Sequence, residues 1–109
     1  MLYETIILDD ELFLLEQMTT LLQWKELGFN IIKTFDNSQE ALNFIENNKI
    51  DVVISDIKMP KPDGIELAKI CFENYPYINF VLVSGYSDFS YAQSALKYNV
   101  VNYITKPIN

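Results

Sequence analysis

The sequence predicts a doubly wound α/β domain built on a five-stranded parallel sheet. Short apolar runs recur at Thr5–Leu8, Asn30–Phe35, Asp51–Ser55, Asn79–Val83 and Val100–Ile104, with longer amphipathic stretches between them. Several runs are continuous rather than alternating, among them Val52-Val53-Ile54 and Phe80-Val81-Leu82-Val83, which suits strands covered on both faces. Single helices between strands call for crossover connections and therefore a parallel sheet. The 109 residues, 50% of them hydrophobic, suffice for one domain with its own core.

In chain order, Thr5–Leu8 is the first strand. Asp10-Glu11 then lead into a helix on which Leu14, Met18, Leu21 and Leu22 recur at helical spacing, with Gly28 as its stop. After the strand Asn30–Phe35, Asn37 or Ser38 caps a second helix carrying Ala41, Leu42 and Ile45, and Glu40 is placed to reach back in a capping box. The third strand, Asp51–Ser55, is followed by a helix starting near Gly64. That helix presents either Ile65, Ala68 and Phe72 or Leu67, Ile70 and Cys71, and ends before Pro76. The strand Asn79–Val83 precedes a fourth helix, which follows Ser87-Asp88, holds Ala92, Ala95 and Leu96, and ends at Asn99. Val100–Ile104 is the fifth strand. Four helices are present and a fifth is missing, so the expectation is a domain over residues 1–109 truncated before its last helix. The face left open would then need cover from a neighbouring chain, or the domain would be poorly stable.

Composition narrows the chemistry. With no histidine there is no imidazole base or ligand, and the single Cys71 excludes a disulfide framework or a cysteine-clustered zinc site. A net charge of −7, from 15 acidic and 8 basic side chains, argues against direct binding to nucleic acid or an anionic membrane. No apolar run approaches the roughly 20 residues of a membrane span. Glu4, Asp9 and Asp10 near the start do not fit a signal peptide, so a cytoplasmic domain is expected.

Ligands of open α/β sheets bind beyond the carboxyl ends of the strands. There the first strand supplies Asp9, Asp10 and Glu11, and the third Asp56 and the turn Ile57-Lys58-Met59-Pro60. The fourth supplies Ser84-Gly85 and the fifth Thr105-Lys106-Pro107, while Asp36 after the second strand is expected to lie apart. Each feature also has an ordinary structural reading. Asp9-Asp10 suit a helix cap, Asp56 suits a turn, and the other two are common strand endings. Their coincidence at one sheet edge is what points to chemistry. Clustered carboxylates need a cation or a nearby lysine to stay ionised, and three oxygen donors with room for water suit Mg²⁺. A carboxylate nucleophile at Asp56, a hydroxyl at Ser84 and an ammonium at Lys106 then describe phosphoryl transfer, with Gly85 leaving the approach open.

These residues resemble the receiver domain of two-component response regulators over Thr5 to Pro107. The matching pieces are Ile7-Leu8-Asp9-Asp10-Glu11, Asp51-Val52-Val53-Ile54-Ser55-Asp56-Ile57-Lys58-Met59-Pro60 with Asp63-Gly64, Val83-Ser84-Gly85-Tyr86, and Tyr103-Ile104-Thr105-Lys106-Pro107. The resemblance implies the flavodoxin-like strand order 2-1-3-4-5. It implies Asp56 as phosphoacceptor, Asp10 as a direct Mg²⁺ ligand, Asp9 as one acting mostly through water, and Lys58 as the donor of a backbone carbonyl. It also implies Ser84 and Lys106 as phosphoryl contacts, Tyr103 as the aromatic switch, and a cis bond at Lys106-Pro107. The implied phosphodonor is a sensor histidine kinase, and the implied activity is a switch rather than an enzyme, limited to its own phosphorylation and dephosphorylation. The stretch from Ser84 to Gln93, with Trp24-Lys25-Glu26-Leu27-Gly28-Phe29, looks like receivers joined to an AraC-type helix-turn-helix output domain. DNA would be reached only through that absent domain, and a homodimer would use the fourth-helix and fifth-strand face. Tyr86, Phe89 and Tyr91 are expected to serve packing or partner contact.

Three rivals remain at this stage. A Mg²⁺-dependent phosphohydrolase with an aspartyl-phosphate intermediate normally has a second acid where this chain has Lys58. A flavin-binding module would need a phosphate loop where Asp9-Asp10-Glu11 repel phosphate. A phosphorylation-independent protein-binding receiver would have no use for Asp10, Asp56, Ser84 and Lys106.

Overall fold

In a computed structural model, residues 2–21, 23–60, 62–84 and 100–105 are described. The expected fourth helix, Gly85, Lys106 and Pro107 lie outside them.

The strands are β1 (Tyr3–Leu8), β2 (Phe29–Phe35), β3 (Val52–Asp56), β4 (Asn79–Ser84) and β5 (Val100–Thr105). The helices are α1 (Leu12–Leu21), α2 (Ser38–Asn47) and α3 (Gly64–Asn74). All strand pairs are parallel, in the order β2-β1-β3-β4-β5, as the resemblance implies.

Side-chain alternation divides the core into two layers, because successive strand residues face opposite sides. Ile6, Leu8, Val53, Phe80 and Leu82 join Ala41 and Ile45 of α2 and Leu67, Ala68 and Cys71 of α3 on one side. Ile7, Val52, Ile54 and Val83 join Leu15 and Met18 of α1 on the other. The continuous apolar runs therefore serve both layers at once. At the lower edge, Asp51 Oδ2 accepts from the Glu4 amide at 2.8 Å, and the Asp51 amide donates to the Glu4 carbonyl at 2.9 Å. This pair fixes how β3 starts beside β1.

Several helix details differ from the sequence expectation. α1 ends at Leu21 rather than at Gly28. The Trp24 indole donates to the Met18 carbonyl at 2.8 Å and so satisfies a carbonyl of the last turn. Gly28 instead closes the following turn, where its φ of 100° is the left-handed conformation that favours glycine. Leu15 rather than Leu14 is buried with Met18, leaving Leu12 and Phe13 exposed at 65% and 71%. α2 is capped by Asn37, whose side chain accepts from the Gln39 and Glu40 amides. The reciprocal capping box occurs at α3, between Asp63 and Glu66. The buried face of α3 combines both expected stripes, with Ile65, Leu67, Ala68 and Cys71 inside and Phe72 exposed.

Candidate functional site

Sheet register brings the carboxylates together. Leu8 pairs with Ser55, so the next residues along these neighbouring strands are Asp9 and Asp56. Asp10 follows on the turn into α1. One carboxylate oxygen from each of Asp9, Asp10 and Asp56 lies within 4.8 Å of the others, close to the spacing of adjacent strands. Among the described residues this is the metal-capable group, and Asp36 is not in it.

The three acids differ in setting. Asp9 is fully buried, Asp56 is 5% exposed and Asp10 is exposed. Asp9 also keeps its structural role, since its Oδ1 accepts from the Glu11 amide at 3.0 Å and orders the entry to α1. Two buried acids and one exposed acid, all hard oxygen donors, fit a divalent cation that retains water on its open side. Without such a charge, three carboxylates this close repel one another.

Lys58 is exposed, two residues beyond Asp56 and just past the end of β3. The β4 partner of Asp56 is Val83, so the Ser84 backbone lies one residue further toward the same edge. Tyr103 pairs with Leu82 on β5. Lys106, expected to complete the site, lies outside the described residues.

The sequence reading missed what holds Asp56 from behind. Ser55 is fully buried, and its Oγ donates to the Asp56 carbonyl at 2.9 Å. The Ile57 amide donates to the Val83 carbonyl at 3.0 Å, and the Ile57 carbonyl accepts from the Gly64 amide at 2.9 Å. Gly64 approaches so closely that a Cβ placed on it would clash with the Asp56 carbonyl oxygen and lie 2.8 Å from Ile57 Cα. The available signal was a glycine following a capping Asp63, shortly after the strand end; the sequence reading takes it as a helix start and, with Asp63, as part of the resemblance, not as a close approach to Asp56.

Comparison with known proteins points to one family and one fold. The family model "Response regulator receiver domain" matches residues 5–109. The chain is 37% identical over 108 residues to the uncharacterized transcriptional regulatory protein YesN of Bacillus subtilis, covering 99% of this chain and 29% of that protein. It spans well under half the length of the curated relatives it matches. The REC domain of AraT, a response regulator from Geobacillus stearothermophilus, superposes with a TM-score of 0.91 at 31% identity, over 100% of this chain and 84% of that one. A two-component transcriptional regulator AraC from Clostridium phytofermentans gives 0.88 at 32% identity, over 98% and 83%.

Proposed function

Since the chain belongs to the response regulator receiver family, we propose that it is a phosphorylation-dependent switch that takes a phosphoryl group onto Asp56 from a sensor histidine kinase. The observation that carries this reading is the convergence of Asp9, Asp10 and Asp56 at one edge of the sheet. In the transfer, an Asp56 carboxylate oxygen forms the new O–P bond as the P–N bond to the donor imidazole breaks. The leaving imidazole nitrogen keeps the bonding pair and takes a proton. Asp10 and Asp9 would hold Mg²⁺ together with Asp56 and the Lys58 carbonyl, Asp9 mostly through water. When bound, that ion supplies the positive charge that offsets the phosphoryl oxygens. Ser84 donates a hydrogen bond to one of those oxygens, and Lys106 neutralises another.

Phosphorylation adds about −1.5 to −2 charges at this edge. Ser84 and Lys106 move to meet them, and Tyr103 repacks on β5. The changed face, formed by the fourth helix and β5, is the surface through which two copies pair. The response passes to a DNA-binding output domain of the AraC type, and the protein works in the cytoplasm. The chain carries no further catalytic activity in this scheme. Among the described residues, no helix is long and apolar enough to cross a membrane.

The test is modification by acetyl phosphate, or binding of beryllofluoride, with and without Mg²⁺, using Asp56→Asn as the control. Stoichiometric, Mg²⁺-dependent modification that the variant loses supports the switch. Multiple turnover on many phosphate esters would point to a phosphohydrolase instead. No modification at all would leave a protein-binding module.

A further inference from the structure

The peptide that joins Asp56 to Ile57 is gripped from three directions by groups outside the acidic cluster. Ser55 Oγ donates to its carbonyl oxygen at 2.9 Å. Its amide, that of Ile57, is tied to β4 through the Val83 carbonyl at 3.0 Å. Gly64, the first residue of α3, lies against the same carbonyl, leaving no room for a Cβ. The Gly64 amide in turn holds the Ile57 carbonyl at 2.9 Å, so the peptide leading to Lys58 is fixed as well.

Of the two described glycines only Gly28 has a positive φ, so the demand at Gly64 is for space and not for an unusual backbone angle. α3 is itself anchored at this end by the capping box, in which the Glu66 amide donates to Asp63 Oδ1 at 2.9 Å and the Asp63 amide donates to Glu66 Oε1 at 3.2 Å. Its buried face, Leu67, Ala68 and Cys71, packs into the core. A side chain at position 64 therefore cannot be relieved by sliding the helix. The Asp56–Ile57 peptide would have to yield.

We infer that Gly64 and Ser55 are positioning residues that set the separation between the Asp56 carboxylate and the Lys58 carbonyl, and through it the affinity of the acidic site for a divalent cation. This rests on the functional reading above, because it takes those two groups to share one ion. Partners that orient metal ligands from behind typically change affinity by about 10- to 100-fold when removed. Gly64→Ala is expected to weaken Mg²⁺ binding by about tenfold or more, and Ser55→Ala by about threefold to tenfold, on the same grounds.

The experiment titrates Mg²⁺ into the chain and follows amide chemical shifts, which report fold and affinity together. Ile65→Val removes a methylene from the same helix and serves as the control. It is expected to lower the unfolding midpoint while keeping the wild-type Mg²⁺ affinity, separating positioning from general destabilisation. A folded Gly64→Ala protein with wild-type affinity overturns the inference. If Gly64→Ala does not fold, Ser55→Ala decides, and unchanged affinity there overturns it. A wild-type chain that binds no Mg²⁺ overturns the functional reading instead, so the two failures are distinguishable.

Discussion

Cys71 shows how burial alone can settle a residue's chemistry. It lies 2% exposed on the inner face of α3, and burial pushes its thiol from the ordinary 9.0 up to about 12. Such a thiol remains protonated and behaves as a small apolar side chain. The consequence for stability has a definite sign. Above pH 9 the unfolded chain loses the Cys71 proton while the folded chain retains it, so the unfolded state binds fewer protons and stability falls as pH rises. Between about pH 9 and 12 this one group costs up to about 1.4 kcal/mol per pH unit. Urea unfolding at pH 8 and pH 10 should therefore show a steeper loss for the wild type than for Cys71→Ala. Equal losses would show that burial does not hold the thiol neutral. The acidic residues divide differently: Asp9 serves both the α1 turn and the metal-capable group, so its cap and ligand readings are not alternatives.

At the scale of elements, helix ends matter more to the site than helix middles. α3 begins within contact distance of Asp56, and its start is held by the Asp63–Glu66 capping box. Losing an N-cap side chain costs about 1 kcal/mol, since an amide of the first turn is left without its acceptor. Asp63→Ala should lower the unfolding free energy by about that amount in urea titration. Amide exchange should rise first at Glu66, whose N–H the cap accepts. A loss confined to the far end of α3 would contradict this placement of the cap. α1 offers a contrast. Its entry is ordered by Asp9 and its exit by the Trp24 indole, while Leu12 and Phe13 stay exposed beside the acidic edge.

For the whole molecule, fifteen acidic side chains and a net charge of −7 make the metal-capable edge a concentrated part of a general excess. Repulsion among Asp9, Asp10 and Asp56 opposes folding in the absence of a cation and would be outweighed by their attraction to a bound one. Asp10→Asn should therefore raise the Tm in chelator by a few degrees and remove the increase that Mg²⁺ produces in the wild type. For the wild type that increase follows the ligand-linkage relation, about 2.7 kcal/mol at a hundredfold excess over the dissociation constant. Thermal melts with and without Mg²⁺ check both signs. A variant that loses stability in chelator would show that Asp10 serves the fold rather than the ion.

Read alone, the amino-acid sequence determined the order of strands and helices through α3, the parallel sheet and the residues at its carboxyl edge. These follow from short-range rules: apolar runs of strand length, helical spacing, and polar residues at strand ends. It misplaced the end of α1, because Gly28 is a stop signal visible in sequence whereas the Trp24 bond to Met18 is not. It offered two stripes on α3 as alternatives, whereas the helix buries parts of both. Only the tertiary structure decided that Asp9 and Asp56 stand side by side, since that depends on the Leu8–Ser55 register between strands distant in the chain. Only the tertiary structure, too, showed Gly64 pressed against the Asp56 peptide. Local pattern reports which face a residue prefers, while close approach between elements is set by the packing of the whole core.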